Sequence, residues 1–478
     1  MPDDALETRA LAILRSEGRA SFRFQAAAAS RGVAACRERG RLLVLAPTGS
    51  GKTLISQLLV ALLAEADFGR FPRVLVVVPS RGLVEQHYAA AGWLRHRAGL
   101  ALHMLMADTP LILAKAIFAS FGVIFTTPIT LARRIATIPG GLEQLATFDC
   151  AVFDEIDTYL SVDDSAERRD TFPALQRCLD ARVPVIGFTG TNLDGRQAKE
   201  WARRSFAELK PDVPRRWLPF TPVGFVGVAD SVVIAQDAGI RDQLGQCFGQ
   251  LAEEFGPVSF HYVKALARGH HPQAIRILSL CFERLALFES LGSSDQKIDV
   301  VLSSATRGTS LILTRFRRSA EAIAVRLGQA GIDVSFAHGG LNRPDLARVL
   351  EDFRRARPTD AKALVLTREL GGRGLDFPLA SRVVLFSPRS NYQTVAQELA
   401  RIRSRTSDQK QALIIYYDAT EERAKSYRLA TRLGTQEYEG KKLFSVDNAP
   451  TNSYVLSTIE RQLARFEESF PEYGVAAE

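Results

Sequence analysis

Short apolar runs alternate with stretches of helical periodicity along most of the chain. The runs fall into two sets, which predict strands at 41–46, 74–79, 122–126, 149–154 and 184–189, and then at 310–315, 333–337, 362–367, 382–387 and 411–417. Apolar strands that alternate with helices are typical of parallel sheets covered by helices on both faces. The pattern therefore predicts an α/β protein with two parallel-sheet domains, at 1–224 and 301–430.

A different pattern occupies 225–300, between the two sets of strands. Apolar residues recur there at helical spacing, through Ile240, Leu244 and Phe248 and again after Pro272. The segment is too long for a plain linker and too regular for a disordered one. We therefore expect a helical insert at 225–300. The apolar face of 431–478 likewise predicts a C-terminal helical extension.

Length and composition agree with a protein of at least two domains. The 478 residues exceed the size at which a single core stops growing. Of these residues 46% are hydrophobic and 24% charged, no apolar stretch has membrane-spanning length, and the acidic amino end lacks the features of a signal peptide. We expect a cytoplasmic protein without membrane contact.

Charge and cysteine usage add two weaker constraints. The net charge of +8 suits a polyanionic partner, although many basic proteins bind none. The five cysteines are scattered, odd in number and never spaced as C-x-x-C, which argues against a disulfide framework and against a structural zinc site.

A glycine-containing loop, Ala46 to Thr53, directly follows the first apolar run. Its glycines allow the backbone N–H groups to face phosphate oxygens, Lys52 would reach the β and γ phosphates, and the Thr53 hydroxyl would ligate Mg²⁺. A plain glycine turn requires neither this lysine nor this hydroxyl. The loop therefore predicts a nucleoside triphosphate site, lined by Pro47, Thr48, Gly49, Ser50, Gly51, Lys52 and Thr53.

A second candidate element is the acidic run that begins at Asp154 and follows the apolar run at 149–154. A buried parallel strand that ends in carboxylates is typical of a ligand crevice. Asp154 would hold Mg²⁺, and Glu155 would orient or deprotonate the water that attacks the γ-phosphate. The alternative is a solvated helix start with favourable dipole charges, which the neighbouring phosphate loop makes less attractive.

Further short motifs resemble those of the superfamily 2 helicases and translocases, in that family's order. They are Phe24-Gln25, Pro79 to Gln86, Thr126 to Leu131, Thr189 to Thr191, Leu311 to Arg317, His338 to Leu341, Thr367 to Asp376 and Gln397 to Arg405. Each match is weak alone, but together they run through nearly the whole chain. On this resemblance the chain is identified as a DExD-type member of superfamily 2, which implies two RecA-like domains.

The resemblance implies that the nucleotide is ATP, bound with Mg²⁺ between the two domains. It assigns adenine recognition to Gln25, and it assigns contacts from the second domain to Arg373, Asp376 and Arg401, with Arg401 as the arginine finger on the γ-phosphate. It also assigns contacts with the nucleic-acid backbone to Pro79, Arg81, Gln86, Thr127, Pro128, Arg317 and Thr367.

Two departures from the family pattern leave alternatives open. The segment that begins at Thr367 has one residue more than usual before its RGLD end, so either a bulge lies there or Thr367 is not a nucleic-acid contact. The usual position of a second finger is Ser404, with Arg403 and Arg405 on either side. Either arginine would serve, and a basic helix face that contacts phosphates without catalysis is the remaining alternative.

The helical insert resembles that of Hef-type DNA-repair translocases and of innate-immune RNA-receptor helicases, where it grips a duplex. A helical brace between the two domains is the alternative. The resemblance implies an ATP-dependent helicase or translocase that acts on nucleic acid, with a possible protein partner that supplies a nuclease or recruitment function. DNA is the expected polymer, and RNA is the open alternative. The alternative function is an ATP-gated clamp or sensor on duplex DNA or RNA that recruits partners without unwinding.

Overall fold

The computed structural model forms two compact units, Met1–Leu218 and Pro219–Glu478. It describes residues 3–19, 22–47, 49–65, 71–157, 166–190, 196–213, 221–289, 296–306, 308–357, 359–371, 377, 380–388, 395–396, 398–399, 410–435, 437–438, 441–442 and 444–451. Each unit is built on its own parallel sheet.

The first unit alternates strands and helices from its beginning. Its strands are β1 (Arg41–Leu45), β2 (Arg73–Val77), β3 (Leu102–Leu105), β4 (Gly122–Thr126), β5 (Cys150–Phe153), β6 (Val185–Thr189) and β7 (Ala207–Leu209). Its helices are α1 (Asp3–Ser16), α2 (Arg23–Arg37), α3 (Lys52–Glu65), α4 (Arg81–Ala90), α5 (Trp93–Ala98), α6 (Leu111–Ala119), α7 (Pro128–Thr137), α8 (Gly141–Leu145), α9 (Ala166–Asp180) and α10 (Arg196–Ser205).

The first sheet has the strand order β3-β4-β2-β5-β6-β1-β7, with every neighbouring pair parallel. Side chains alternate along each strand, so Leu42 and Val44 enter the core on one face of the sheet while Leu43 enters the core on the other. Helices cover both faces, which explains why the strands read as unbroken apolar runs. All the carboxyl ends of the strands therefore lie at one edge.

The second unit follows the same plan, with a long helical segment after its first strand. Its strands are β8 (Thr221–Val228), β9 (Ser310–Thr314), β10 (Asp333–Ala337), β11 (Lys362–Thr367), β12 (Arg382–Leu385), β13 (Gln411–Tyr417), β14 (Glu437–Tyr438), β15 (Lys441–Lys442) and β16 (Phe444–Asp447). Its helices are α11 (Ser231–Phe255), α12 (Phe260–Arg268), α13 (Pro272–Phe288), α14 (Gln296–Ala305), α15 (Arg317–Gln329), α16 (Arg343–Arg354), α17 (Arg368–Gly371) and α18 (Glu421–Gly434).

The second sheet has the order β10-β11-β9-β12-β13-β8-β16 and is again parallel throughout, while β14 and β15 form a separate antiparallel pair. Two seven-stranded parallel sheets are the RecA-like pair that the sequence predicts, and the helical insert is present as α11 to α14. The expected fold class is confirmed.

The helical segment has two parts with different surroundings. The distal part of α11, all of α12 and the first half of α13 share a core of their own, which includes Leu244, Phe260 and Ile277. The proximal part packs on the second sheet, where Phe288 joins a core with strand residues such as Ile312. The segment is therefore a small helical module fixed at its base to the second sheet.

The domain limits expected from the sequence differ from the structure at two places. The limit at 224 falls inside β8, which pairs with β13 and β16 and so belongs to the second sheet. The limit at 430 falls inside α18, and 431–478 contains β16. Residues 452–478, where the last apolar face was expected, lie outside the described residues. No helix in the described part of the chain has the length and apolar character needed to cross a bilayer.

Candidate functional site

The carboxyl edge of the first sheet brings three predicted segments together. Beyond β1, the backbone N–H of Ala46 donates to the carbonyl of Thr189 at 3.0 Å. Beyond β5, the N–H of Asp154 donates to the carbonyl of Val77 at 3.0 Å. Because β6 lies between β1 and β5 in the sheet, the phosphate loop and the acidic run begin on either side of the segment at Thr189.

The phosphate loop has the backbone that its glycines permit. Gly49 and Gly51 both have φ of 85°, in the left-handed region that disfavours side chains. Helix α3 begins at Lys52, whose Nζ donates to the carbonyl of Ala46 at 3.4 Å. The N-terminus of α3 and the lysine thus lie at the loop, an arrangement suited to an anion. Thr48 lies outside the described residues.

Gln25, on α2, contacts the phosphate loop through its side chain. Its side chain is fully buried, and its Nε2 donates to the carbonyl of Ser50 at 2.8 Å. Its Oε1 is buried without a hydrogen-bond partner. A buried amide oxygen in this state is costly unless a ligand supplies a donor, and the amino group of adenine is such a donor. The residues present therefore fit the adenine role expected of Gln25.

Asp154 lies against a histidine that the sequence analysis did not select. Nε2 of His87, on α4, lies 3.3 Å from Oδ2 of Asp154, and both side chains are largely buried. Burial acts to raise the pKa of Asp154, but the hydrogen bond from His87, together with the charges of His87 and Lys52, outweighs burial and holds that pKa below its ordinary value. The carboxylate is thus kept ionised beside Lys52.

Glu155 has an unusual backbone. Its φ is 49°, in the left-handed region that residues other than glycine rarely adopt. Its N–H donates to Oδ1 of Asp154 at 3.1 Å, and the next residue, Ile156, is bonded through its N–H to the carbonyl of Phe188 at 2.8 Å. Strained residues of this kind concentrate at functional sites, because the surrounding structure holds them in place.

The oxygen groups at this edge fit Mg²⁺. Thr53 lies in the first turn of α3, and Asp154 supplies an ionised carboxylate. Magnesium prefers hard oxygen ligands, usually one or two from protein, with water and phosphate oxygens for the rest. Thr53 and Asp154 are the residues that would hold it, and the ion would neutralise phosphate charge during transfer.

The remaining segments of the first unit form a braced surface at the ends of β2, β3 and β4. Ser80 and Thr127 cap α4 and α7 by accepting from backbone N–H groups, which orients the first turns that carry Arg81 and Pro128. Arg81 lies 3.0 Å from Asp108, and Gln86 is exposed on the same helix.

Arg134 on α7 completes this brace from the other side. Its Nη2 donates to the carbonyl of Ala107 at 3.0 Å and also to that of Thr109. The loop 106–110 is therefore held between α4 and α7, through Asp108 on one side and its carbonyls on the other. The sequence did not predict these contacts of Arg134. Its partners are backbone carbonyls, and no sequence pattern identifies an arginine that binds them.

In the second unit the structure describes two of the residues that were expected to contact nucleic acid. Arg317 is the first residue of α15 and is half exposed, with its Nε 2.8 Å from Glu321. Thr367 ends β11, is buried, and has no hydrogen-bond partner for its hydroxyl. The expected residues Arg373, Asp376, Arg401, Arg403 and Arg405 lie outside the described residues.

Two parallel sheets, with the phosphate loop and the acidic run at the carboxyl edge of the first, are the architecture expected of a superfamily 2 helicase core. A family model described as "DEAD/DEAH box helicase" matches residues 23–197, and one described as "Helicase conserved C-terminal domain" matches residues 294–405. The chain belongs to this helicase family, whose members are nucleic-acid-dependent ATPases.

Individual curated relatives match a shorter part of the chain. The "ATP-dependent RNA helicase DBP5" of Kluyveromyces lactis is 37% identical over 79 residues, which is 16% of this chain and 16% of that protein. Among solved structures, Saccharomyces cerevisiae Dbp5 bound to RNA and ADP BeF3 has a TM-score of 0.53 at 16% identity, covering 88% of this chain and 93% of that one. The Pyrococcus furiosus Hef helicase domain has a TM-score of 0.51 at 17% identity, covering 83% and 96%. At these identities the structural likeness concerns the fold.

Proposed function

We propose that this chain uses Mg²⁺ and ATP to move along or remodel a nucleic-acid strand. The observation that carries the proposal is the pairing, at one sheet edge, of the phosphate loop with the carboxylate of Asp154, held ionised by His87 and Lys52. That pairing supplies the two halves of a phosphoryl-transfer site, one for phosphate and one for the metal and the attacking water.

Each residue has a proposed role. Lys52 binds the β and γ phosphates, and Thr53 and Asp154 hold the metal. Glu155 orients or deprotonates the attacking water, and its left-handed backbone points to a fixed orientation. Arg401, with Arg403 or Arg405, is the proposed arginine finger, a role that rests on the family resemblance.

The braced surface around Arg81, Thr127 and Pro128 is the proposed backbone contact of the first unit, and Arg317 is that of the second. Contacts with phosphates and sugars give affinity without reading sequence. The expected preference for DNA has no support beyond the sequence resemblance, whereas the matched K. lactis relative is named an RNA helicase. We therefore take RNA as the first polymer to test. We also propose a protein partner that supplies a nuclease or recruitment function, on the basis of the same sequence resemblance.

The deciding experiment measures ATP hydrolysis with single-stranded, duplex and forked forms of both RNA and DNA, beside a strand-displacement assay. We expect at least one polymer to increase the rate of ATP hydrolysis, and the polymer that does so identifies the class of nucleic-acid substrate. Stimulated hydrolysis without displacement or translocation would favour the ATP-gated clamp or sensor. Hydrolysis that no polymer stimulates would contradict the proposal.

A further inference from the structure

Glu289 is a buried carboxylate at the end of the helical segment. It directly follows α13, and only 2% of the residue is exposed. Its Oε2 accepts hydrogen bonds from the backbone N–H groups of Arg315, at 2.6 Å, and Phe316, at 3.3 Å. Those two amides form the turn between β9 and α15, immediately before Arg317.

Helix α15 lacks a cap of its own. Phe316 is at the N-cap position and makes no side-chain capping bond, so the turn has no local acceptor of the kind that Ser, Thr or Asp supplies. Glu289 instead accepts from the N–H groups of Arg315 and Phe316, which immediately precede the helix, and its negative charge suits the positive end of the α15 dipole. The hydroxyl of Ser319, in the first turn of α15, also donates to the carbonyl of Glu289 at 2.9 Å.

The end of α13 is itself fixed. The fully buried Nζ of Lys297, on α14, donates to the carbonyl of Phe288 at 3.0 Å and to Oε2 of Glu422 at 3.0 Å. It also donates to Oγ of Ser387, beyond β12, at 3.1 Å. Because breaking any of these bonds would leave buried polar groups unpaired, the residue next to Glu289 cannot shift without cost.

We infer that Glu289 is a positioning residue for the nucleic-acid contact made by Arg317. The inference rests on the proposed function for the role of Arg317, while the anchoring of the turn stands on the contacts alone. Through Glu289 the helical segment sets where the turn 315–317 lies, so Arg317 is presented to the strand in a fixed place. The helical segment thus contributes to strand binding even where it touches no nucleic acid.

The first test measures the polymer concentration that half-saturates ATP hydrolysis. Glu289→Ala removes Oε2, the acceptor of both hydrogen bonds, and we expect that concentration to rise about tenfold, since two charge-assisted hydrogen bonds are lost. Glu289→Gln keeps an amide oxygen as acceptor, so its half-saturating polymer concentration should lie much closer to that of the parent. The maximal rate and the ATP requirement should stay near those of the parent. The control is Glu283→Gln, an exposed glutamate of the same helix, which should change nothing.

A double-mutant cycle separates positioning from general stability. If Glu289 acts through Arg317, Glu289→Ala should add little in an Arg317→Ala background, because the contact it positions is already gone. Full additivity of the two effects would overturn the inference. So would an unchanged half-saturating concentration in Glu289→Ala.

Hydrogen exchange tests the anchor without nucleic acid. The amides of Arg315 and Phe316 should exchange faster in Glu289→Gln and faster still in Glu289→Ala, while those of β9 keep their protection. Unchanged exchange at 315 and 316 would overturn the inference directly. A different result would separate the two claims. If no polymer stimulates ATP hydrolysis by the wild-type chain but the variants still exchange faster at 315 and 316, the proposed function is contradicted while the anchoring of the turn by Glu289 stands.

Discussion

Nη1 of Arg284 lies 3.0 Å from Oε2 of Glu421, and each side chain is only 2% exposed. The same guanidinium places its Nε 2.5 Å from Oδ1 of Asp237. Arg284 lies on α13, Asp237 on α11 and Glu421 on α18. The buried guanidinium of Arg284 therefore joins two helices of the helical segment to a helix that packs on the second sheet. The base of the segment is therefore part of the second domain, while its distal core stands apart.

Loss of this cation should destabilise the second unit. Arg284→Met would leave two buried carboxylates without their shared partner, and we expect a loss of about 3 kcal/mol in the free energy of unfolding. The value is at the low end because Arg241 still pairs with Asp237 and Lys425 with Glu421. Urea denaturation measures it. Arg276→Met, which removes an exposed arginine of the same helix, should stay within about 0.5 kcal/mol of the parent, and an equal loss in both would refute the explanation.

The phosphate-site roles predict two distinct defects. Lys52→Ala removes the charge that binds the β and γ phosphates, so ATP binding should weaken. Glu155→Gln keeps the shape of the side chain but removes the base, so binding should persist while turnover falls by about 10²–10⁴-fold. Binding of a fluorescent ATP analogue and steady-state hydrolysis report the two quantities. Equal binding defects in both variants would show that the roles are wrongly assigned.

His87 should tune metal binding. His87→Ala removes the hydrogen bond that orients the carboxylate of Asp154, and we expect the Mg²⁺ concentration for half-maximal hydrolysis to rise about tenfold, as is usual when the partner of a metal ligand is lost. His96→Ala, an exposed histidine on α5, is the control. If His87→Ala has the same Mg²⁺ requirement as the parent, the contact has no role at the metal.

A lysine on α12 should make stability depend on pH. Burial, with a smaller contribution from the charge of Arg268, lowers the pKa of Lys264 to about 8, against an ordinary 10.5. Between these values the unfolded chain binds more protons than the folded one, so stability should rise as pH increases from 8 to 10.5. Lys264→Met should be more stable than the parent at pH 7 and lose that advantage by pH 10. Denaturation at the two pH values tests this, and an advantage that persists at pH 10 would point to packing instead.

The sequence was sufficient for the elements whose causes are local. Both predicted sets of strands are apolar runs bounded by polar turns, and all ten predicted runs match a strand to within two residues at each end. The strands that escaped are short or interrupted, such as β3 with its exposed Met104 and β8 with its glycines. The expected domain limit at 224 fell inside β8 because the partners of that strand, β13 and β16, are distant in sequence, and no local pattern records such a pairing.

The candidate site divides in the same way. The phosphate loop and the acidic run have fixed spacings, so the sequence alone indicates Lys52 and Asp154. His87, Glu289 and Arg284 act through partners on other elements, and their own surroundings in sequence resemble those of ordinary helix residues. Only the three-dimensional packing distinguishes them.

The position of β8 has a consequence for how the chain folds as it is synthesised. In the described sheet β8 lies between β13 and β16, both of which begin after residue 410. A growing chain therefore exposes an apolar strand with two open edges while the helices and four further strands are made. The distal core of the helical segment draws only on residues between 240 and 281, so it can form early while β8 waits for its partners. A fragment that stops short of β13 should aggregate, whereas every described strand of the first sheet ends by Leu209, so that sheet can form before the second unit is made.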